Sequence, residues 1–181
     1  MKRIVIVPIG PPLSGKGTLG RALAEELGVR NMVEMSQVIR DNLDKLPFGC
    51  REKIEAGHLL DDENACRLWV SKINSVFPAD SPPESILLDG FPRTLVQMEA
   101  VRQHFYRRRF KQHQVHFFLL NVREKICEDR LAGRQSVEGR ADDNRNSLYR
   151  RINEWRRHGL QVRHQIEWRF MAPGGVRIHK I

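Results

Sequence analysis

Apolar residues along this chain alternate between two patterns. Apolar stretches of strand length occur at Ile4-Val5-Ile6-Val7, Ile86-Leu87-Leu88 and Val115-His116-Phe117-Phe118-Leu119-Leu120, and shorter or alternating ones, read as a second and a last strand, at Met32-Val33-Glu34-Met35 and Val176-Arg177-Ile178-His179-Lys180-Ile181. Between them, apolar positions recur at helical spacing: Leu19, Ala22, Leu23 and Leu27, then Val38, Ile39 and Leu43, then Leu68, Val70 and Ile73, then Val96, Ala100 and Val101. Punctuating residues set the expected boundaries. Gly28 stands where a helix C-cap belongs, Ser36 is the expected N-cap of the next helix, and Pro47 and Gly49 end that helix. Cys50 to Ala56 reads as a short helix closed by Gly57, and Asp61 or Asp62 opens the following one. Pro78, Pro82 and Pro83 mark a loop. Arg123 to Leu131 reads as a helix, Gly133 to Gly139 as a polar loop, and Ala141 to about Ile166 as one long basic helix. The run from Val115 to Leu120 has the continuous character of a strand buried on both faces. Strands alternating with helices predict an α/β fold, a parallel β-sheet core with helices on both faces. In such folds ligands sit at the carboxyl ends of the strands, here the loops after Val7, Leu88 and Leu120.

With 181 residues, the chain is read as one domain spanning 1–181. No apolar run approaches the ~20 residues that span a bilayer, so no membrane partner is expected. The basic start at Met1-Lys2-Arg3 leads into an apolar run too short for a signal peptide, and that run is read as the first strand. Cys50, Cys66 and Cys127 are widely spaced and odd in number, which predicts free thiols in a reducing, cytoplasmic setting and no zinc site. The net charge of +9 raises the question of nucleic acid. Basic clusters at Arg107-Arg108-Arg109-Phe110-Lys111 and from Arg145 to Arg169 are better read as solvated faces and anion-binding groups. Weak RNA binding remains open, but no specific nucleic-acid partner is expected. The last expected strand ends at Ile181 with no helix after it, so the sheet surface there is expected to be less covered.

One stretch carries the chemistry. Gly10-Pro11-Pro12-Leu13-Ser14-Gly15-Lys16-Gly17-Thr18 follows the first strand and precedes the first helical pattern, the context of a phosphate-binding loop. Successive backbone N–H groups wrap a polyphosphate, the helix beginning near Lys16 presents its positive end, and the lysine ammonium reaches the terminal phosphates. Asp89, after Ile86-Leu87-Leu88, stands where such an enzyme needs a carboxylate for magnesium.

The segments GPPLSGKGT, SQVIR (Ser36 to Arg40), EAGHLLDDE (Glu55 to Glu63), LLDGFPRTLVQ (Leu87 to Gln97), RLAGR (Arg130 to Arg134) and GRADDN (Gly139 to Asn144), followed by Arg151, resemble the adenylate kinase family of nucleoside monophosphate kinases in content and order. The resemblance spans roughly residues 3–155. Arg134 and Arg140 stand close together, as in members with a short lid and no zinc-bearing lid domain.

The resemblance implies a division of labour. Leu13, Ser14, Gly15, Lys16, Gly17 and Thr18 would cradle the phosphates of ATP, with Lys16 on the transferred group and Arg130 stacked on the donor adenine. Thr18 and Asp89 would hold Mg2+ through its waters. Arg40 and Arg93 would grip the phosphate of the acceptor monophosphate. Met35, Ser36, Gly57 through Leu60 (with Leu59) and Gly90 would line its site, and Gln97 would bond its base. Arg134, Arg140 and Arg151 would come down over the phosphates, oriented by Asp142 and Asp143. An acceptor-binding insertion at about 36–75 and a lid at about 133–141 would complete the domain.

Two departures stand out: Leu13 occupies a position usually held by glycine, and Met35-Ser36 replaces a Thr-Gly or Ala-Gly pair. The implied reaction moves the γ-phosphate of ATP to AMP, in a protein expected to be monomeric. A kinase of the CMP/UMP type and a nucleotide-binding, RNA-associated protein on the same fold are the alternatives. Another small phosphate-loop kinase, acting on a sugar or carboxylate, would not be expected to carry DGFPR and GRADDN together. No NKxD-type tetrapeptide supports a GTPase.

Overall fold

The computed structural model describes residues 3–78, 84–107, 113–138, 144–169 and 175–181. Five strands, β1 (Ile4–Ile9), β2 (Asn31–Glu34), β3 (Ile86–Asp89), β4 (Gln114–Leu119) and β5 (Val176–Lys180), form one sheet in the order β2-β3-β1-β4-β5. Every pairing is parallel, as the alternation of strands with helices predicts. The central strand β1 extends past Val7 through Pro8 to Ile9. Pro8 has no N–H to donate, and the β1–β3 register ends at Ile6↔Leu87, while pairing with β4 continues to Ile9↔Leu119.

Alternation along the strands builds two apolar layers. Val5, Val7 and Ile9 of β1, with Val33, Ile86, Leu88, Val115, Phe117 and Leu119, face a core that includes residues of α2 (Met35–Arg40), α4 (Asp62–Val76), α5 (Leu95–Arg107) and α8 (Leu160–Arg169). Trp69 and Phe91 stack at its centre with ring centroids 5.0 Å apart. Ile6, Leu87, Phe118 and Leu120 face the other way, where Leu19, Leu23 and Ala24 of α1 (Lys16–Glu26) cover them. A third cluster, Leu131, Leu148 and Ile152 with Leu13 packed against it, joins α6 (Glu124–Glu138) and α7 (Arg145–Glu154) to the glycine-bearing loop. Ile178 and Ile181, in and after β5, are exposed. Among the described residues no helix is long and apolar enough to cross a membrane.

Several boundaries differ from expectation. Ser36 is not an N-cap: β2 ends at Glu34 and α2 begins at Met35, so Ser36 lies inside the helix and its hydroxyl donates to the Glu34 carboxylate at 2.7 Å. That helix ends at Arg40, and a 3-10 turn at Leu43–Lys45 follows. Next come α3 (Cys50–Glu55) and α4, which is capped by Asp61 accepting from the Asn64 N–H at 2.9 Å. Gly133 does not start a loop. α6 continues through it to Glu138 because the flanking Ala, Arg, Gln and Glu are helix formers and a single glycine costs only about 1 kcal/mol. The long basic helix is two helices joined by a π turn at Trp155–Gly159. Its start is the Asn144–Ser147 capping box, so the expected origin at Ala141 falls outside the described residues.

Candidate active site

The loop after β1 wraps its own lysine. Gly15 adopts φ 93° as the N-cap of α1, and the Lys16 Nζ donates to Gly10 O at 2.9 Å and Pro11 O at 2.6 Å. Burial lowers the Lys16 pKa most, and the nearby positive charge of Arg93 adds to it, while Asp89 opposes the shift. The net result is a value of about 7. A cation held this way gains most from an incoming anion, which restores the full charge and replaces the weak carbonyl partners.

Asp89 ends β3 beside the start of α1. A Cβ on Gly17 would lie 2.9 Å from Asp89 Oδ2, so only glycine lets the carboxylate approach the loop this closely. Burial raises the Asp89 pKa, opposed chiefly by Lys16. Thr18 follows on the first turn of α1, exposed. Ser14 is buried.

Arg130, Arg151 and Arg93 come close to the loop, and Arg40 stands at the end of α2 beside Glu34. The Arg130 Nη1, on α6, donates to Leu13 O at 3.0 Å and would lie 3.6 Å from a Cβ on Gly15, which puts its guanidinium over the loop. Arg151, on α7, is close enough for its charge to depress Lys16. Arg93 follows β3 and donates through Nε to Gly90 O at 2.9 Å. Arg40 closes α2, with Nη2 donating to Gln37 Oε1 at 2.7 Å. The backbone of Arg134 is in α6, while Arg140, Asp142 and Asp143 fall outside the described residues.

The expected acceptor pocket lies between the ends of β2 and β3 and the segment before α4. Met35 is 2% exposed, Leu60 is buried and Leu59 is half-buried. Gly57, at φ 91°, packs on the backbone of Ser147 in α7. Gln97 is 2% exposed, with its amide already committed. Its Oε1 accepts from the Arg93 N–H at 2.8 Å and its Nε2 donates to Asp62 Oδ1 at 2.9 Å. Thr94 Oγ1 donates to the same Asp62 oxygen at 2.7 Å. In this arrangement Gln97 holds the Arg93 backbone in place, with one amide N–H and one carbonyl lone pair engaged.

Sequence reasoning missed Asp62, Thr94, Glu34 and Arg21. The first two form the buried network around Gln97, and the last two stand beside Arg40 and Asp89. Asp62 was visible only as a helix-start residue, since its partners lie 32 and 35 positions away.

Cationic groups gathered around an anion cradle, at the carboxyl edge of a parallel sheet, place this chain among the phosphate-loop nucleotide kinases. Within that class it belongs to the adenylate kinase family, whose profile, described as "Adenylate kinase", matches residues 8–165. It is 31% identical over 154 residues to an adenylate kinase of Thermus thermophilus, covering 83% of this chain and 76% of the relative. It is 32% identical over 167 residues to one from Bacteroides thetaiotaomicron, covering 90% and 82%. Against one from Mycobacterium leprae the identity is 31% over 154 residues, covering 83% and 79%.

Proposed function

We propose that this chain transfers the γ-phosphate of ATP to AMP, yielding two ADP. The observation that carries this reading is the set of charges converging on Lys16: Arg93, Asp89 and Arg151, from separate elements, all act on one enclosed ammonium. Phosphoryl transfer spreads charge over the equatorial oxygens of a loose transition state, so the protein contributes positioning and cations. Lys16 acts on the transferred group, and Arg93 with Arg40 holds the acceptor's phosphate. Arg151 closes over the phosphates together with Arg134 and Arg140, whose orientation falls to Asp142 and Asp143. Arg130 lies against the donor's adenine. The acceptor's base rests among Met35, Ser36, Gly57 to Leu60 and Gly90, with Gln97 fixing the wall behind it.

Magnesium fits the donor set. Thr18 and Asp89 offer hard oxygen atoms beside the phosphate cradle, and this ion takes one or two protein ligands together with substrate phosphates and water. When bound it neutralises phosphate charge. Zinc is not assigned a role, because its structural sites take four nitrogen or sulfur ligands at bonding distance and the three thiols are separate. We place the enzyme in the cytoplasm as a monomer, with a short lid at about 133–141 and an acceptor-binding insertion at about 36–75. The reading as an RNA-associated binder is not favoured, since a pure binder has no use for this ring of cations.

The test is an acceptor screen with ATP and magnesium against AMP, CMP, UMP, GMP and dAMP. AMP is expected to exceed CMP and GMP by at least tenfold in kcat/KM, about 1.4 kcal/mol. A preference for CMP or UMP would move the assignment to the pyrimidine type. No transfer to any of them would refute the kinase.

A further inference from the structure

Glu34 is a carboxylate in a place built for anions. It closes β2 and is the register partner of Asp89, so two acidic side chains stand side by side at the carboxyl edge of the sheet. Burial raises the Asp89 pKa, and the neighbouring charge of Glu34 adds to that rise. Such a pairing is unfavourable by itself, and the groups around Glu34 show what offsets it. Its Oε1 accepts from Ser36 Oγ at 2.7 Å and lies 3.6 Å from the Arg40 Nη2. Its Oε2 lies 3.9 Å from the Arg21 Nη1. Ser36 therefore fixes the carboxylate between two guanidinium groups, and both distances are those of charge attraction rather than hydrogen bonding.

We propose that Glu34 is the resident counter-anion of the acceptor site: it neutralises Arg21 and Arg40 until the acceptor's phosphate takes Arg40 over, and this exchange sets the acceptor's KM. The proposal rests on the reading that Arg40 grips that phosphate.

The physical argument concerns the like charges on either side of the exchange. Lys16, Arg21, Arg40, Arg93 and Arg151 are all drawn toward one end of the sheet, and their mutual repulsion needs negative charge nearby. A phosphate dianion supplies it in the complex, and Glu34 supplies part of it otherwise. When the phosphate takes Arg40 over, the attraction between Arg40 and the carboxylate is given up, which weakens binding. At the effective dielectric of a partly exposed site, removing one such charge corresponds to roughly 5–30-fold in affinity.

Glu34→Gln keeps the shape of the side chain and an oxygen for Ser36 while removing the charge. The expected result is a KM for AMP about tenfold lower, with the KM for ATP unmoved. Inorganic sulfate, a probe for the freed arginines, should inhibit competitively against AMP at correspondingly lower concentration. Its stabilising effect in a thermal melt should increase as well, a readout independent of turnover. In an Arg40→Ala background, which by itself should raise the KM for AMP at least tenfold, the effect of Glu34→Gln should shrink below twofold. If Arg40→Ala raises that KM and Glu34→Gln fails to lower it, or lowers it equally in both backgrounds, the counter-anion role is wrong while the reading of Arg40 stands. An unchanged KM for AMP in Arg40→Ala removes that reading and the proposal with it.

Discussion

Leu13 has a left-handed backbone conformation, φ 58°, alone among the non-glycine residues described. For an L-residue this conformation costs about 1–2 kcal/mol, because the Cβ crowds the neighbouring carbonyl. What offsets it is packing: the side chain is half-buried against the Leu131, Leu148 and Ile152 cluster. Full burial of a leucine is worth about 1.5–3 kcal/mol, so this position yields roughly 1–1.5 kcal/mol. Leu13→Ala loses that packing and keeps the strain, and should cost about 1–1.5 kcal/mol. Leu13→Gly loses the packing and sheds the strain, but adds about 0.5–1 kcal/mol of chain entropy, and should fall within about 1 kcal/mol of wild type. The glycine variant should therefore be the more stable of the two, although it removes more atoms. At about 2–4 °C per kcal/mol for a chain of this size, the alanine variant should melt roughly 2–6 °C below wild type, with glycine between or level. Thermal melts followed by circular dichroism, without nucleotide, read this ordering directly. An alanine variant as stable as the glycine variant would show that the backbone at position 13 is not strained.

Three further outcomes follow from the site. Lys16→Met should lower turnover by on the order of 10²–10⁴, and also raise the melting temperature without nucleotide, because it removes an ammonium that burial disfavours. Lys16 has a folded pKa near 7 against 10.5 when unfolded, so the unfolded chain holds more protons between those values, and wild-type stability rises with pH across that window. The melting-temperature gap between Lys16→Met and wild type should accordingly narrow from about pH 6 to about pH 9.5; a constant gap would refute the burial argument. Gly57→Ala sets a Cβ 2.7 Å from the Ser147 carbonyl oxygen at a positive φ, and should cost about 2 kcal/mol or more, with a raised KM for AMP. Leu148→Ala, in the cluster beneath Leu13, should cost about 2–5 kcal/mol and raise the KM for both nucleotides, whereas Ile73→Ala in the main core should cost similarly and leave both constants in place.

The phosphate loop was legible because its chemistry is contiguous. Loop, lysine and helix start lie within nine residues, and the apolar run of β1 announces them. The inner strands β1, β3 and β4 were legible for a related reason: a strand covered on both faces has to be largely apolar, and a run of that kind needs no partner to be recognised. What stayed hidden depends on register between distant segments. Glu34 reads as one polar residue in a short strand until β2 is set against β3, when it stands beside Asp89. Gln97 has no readable protein partner in the sequence until α4 brings Asp62 to its Nε2. Ser36 has the composition of a cap, but the chain turns helical one residue earlier and the hydroxyl finds a carboxylate instead. Local preference misjudged Gly133 for the opposite reason, since one glycine is too small a penalty to stop a helix whose other residues favour it.

A separate set of contacts converges on α7. The donor side reaches it through Leu13, packed with Leu148 and Ile152, and through Arg130, which ties α6 to the loop carbonyl. A forked pair, Arg156 with Glu124 at 2.8 and 2.5 Å, fastens the π turn beyond α7 to the start of α6. The acceptor side reaches the same helix by a different route: Arg150 donates to Ala56 O at 3.1 Å, His58 meets Glu154 at 3.4 Å, and Gly57 rests on Ser147. Arg151 sits between these two sets of contacts and acts electrostatically on Lys16. A helix held by both segments, and carrying a cation close enough to act on Lys16, keeps that cation in register with both. The position of Arg151 is therefore set jointly by the phosphate-binding loop and the segment before α4.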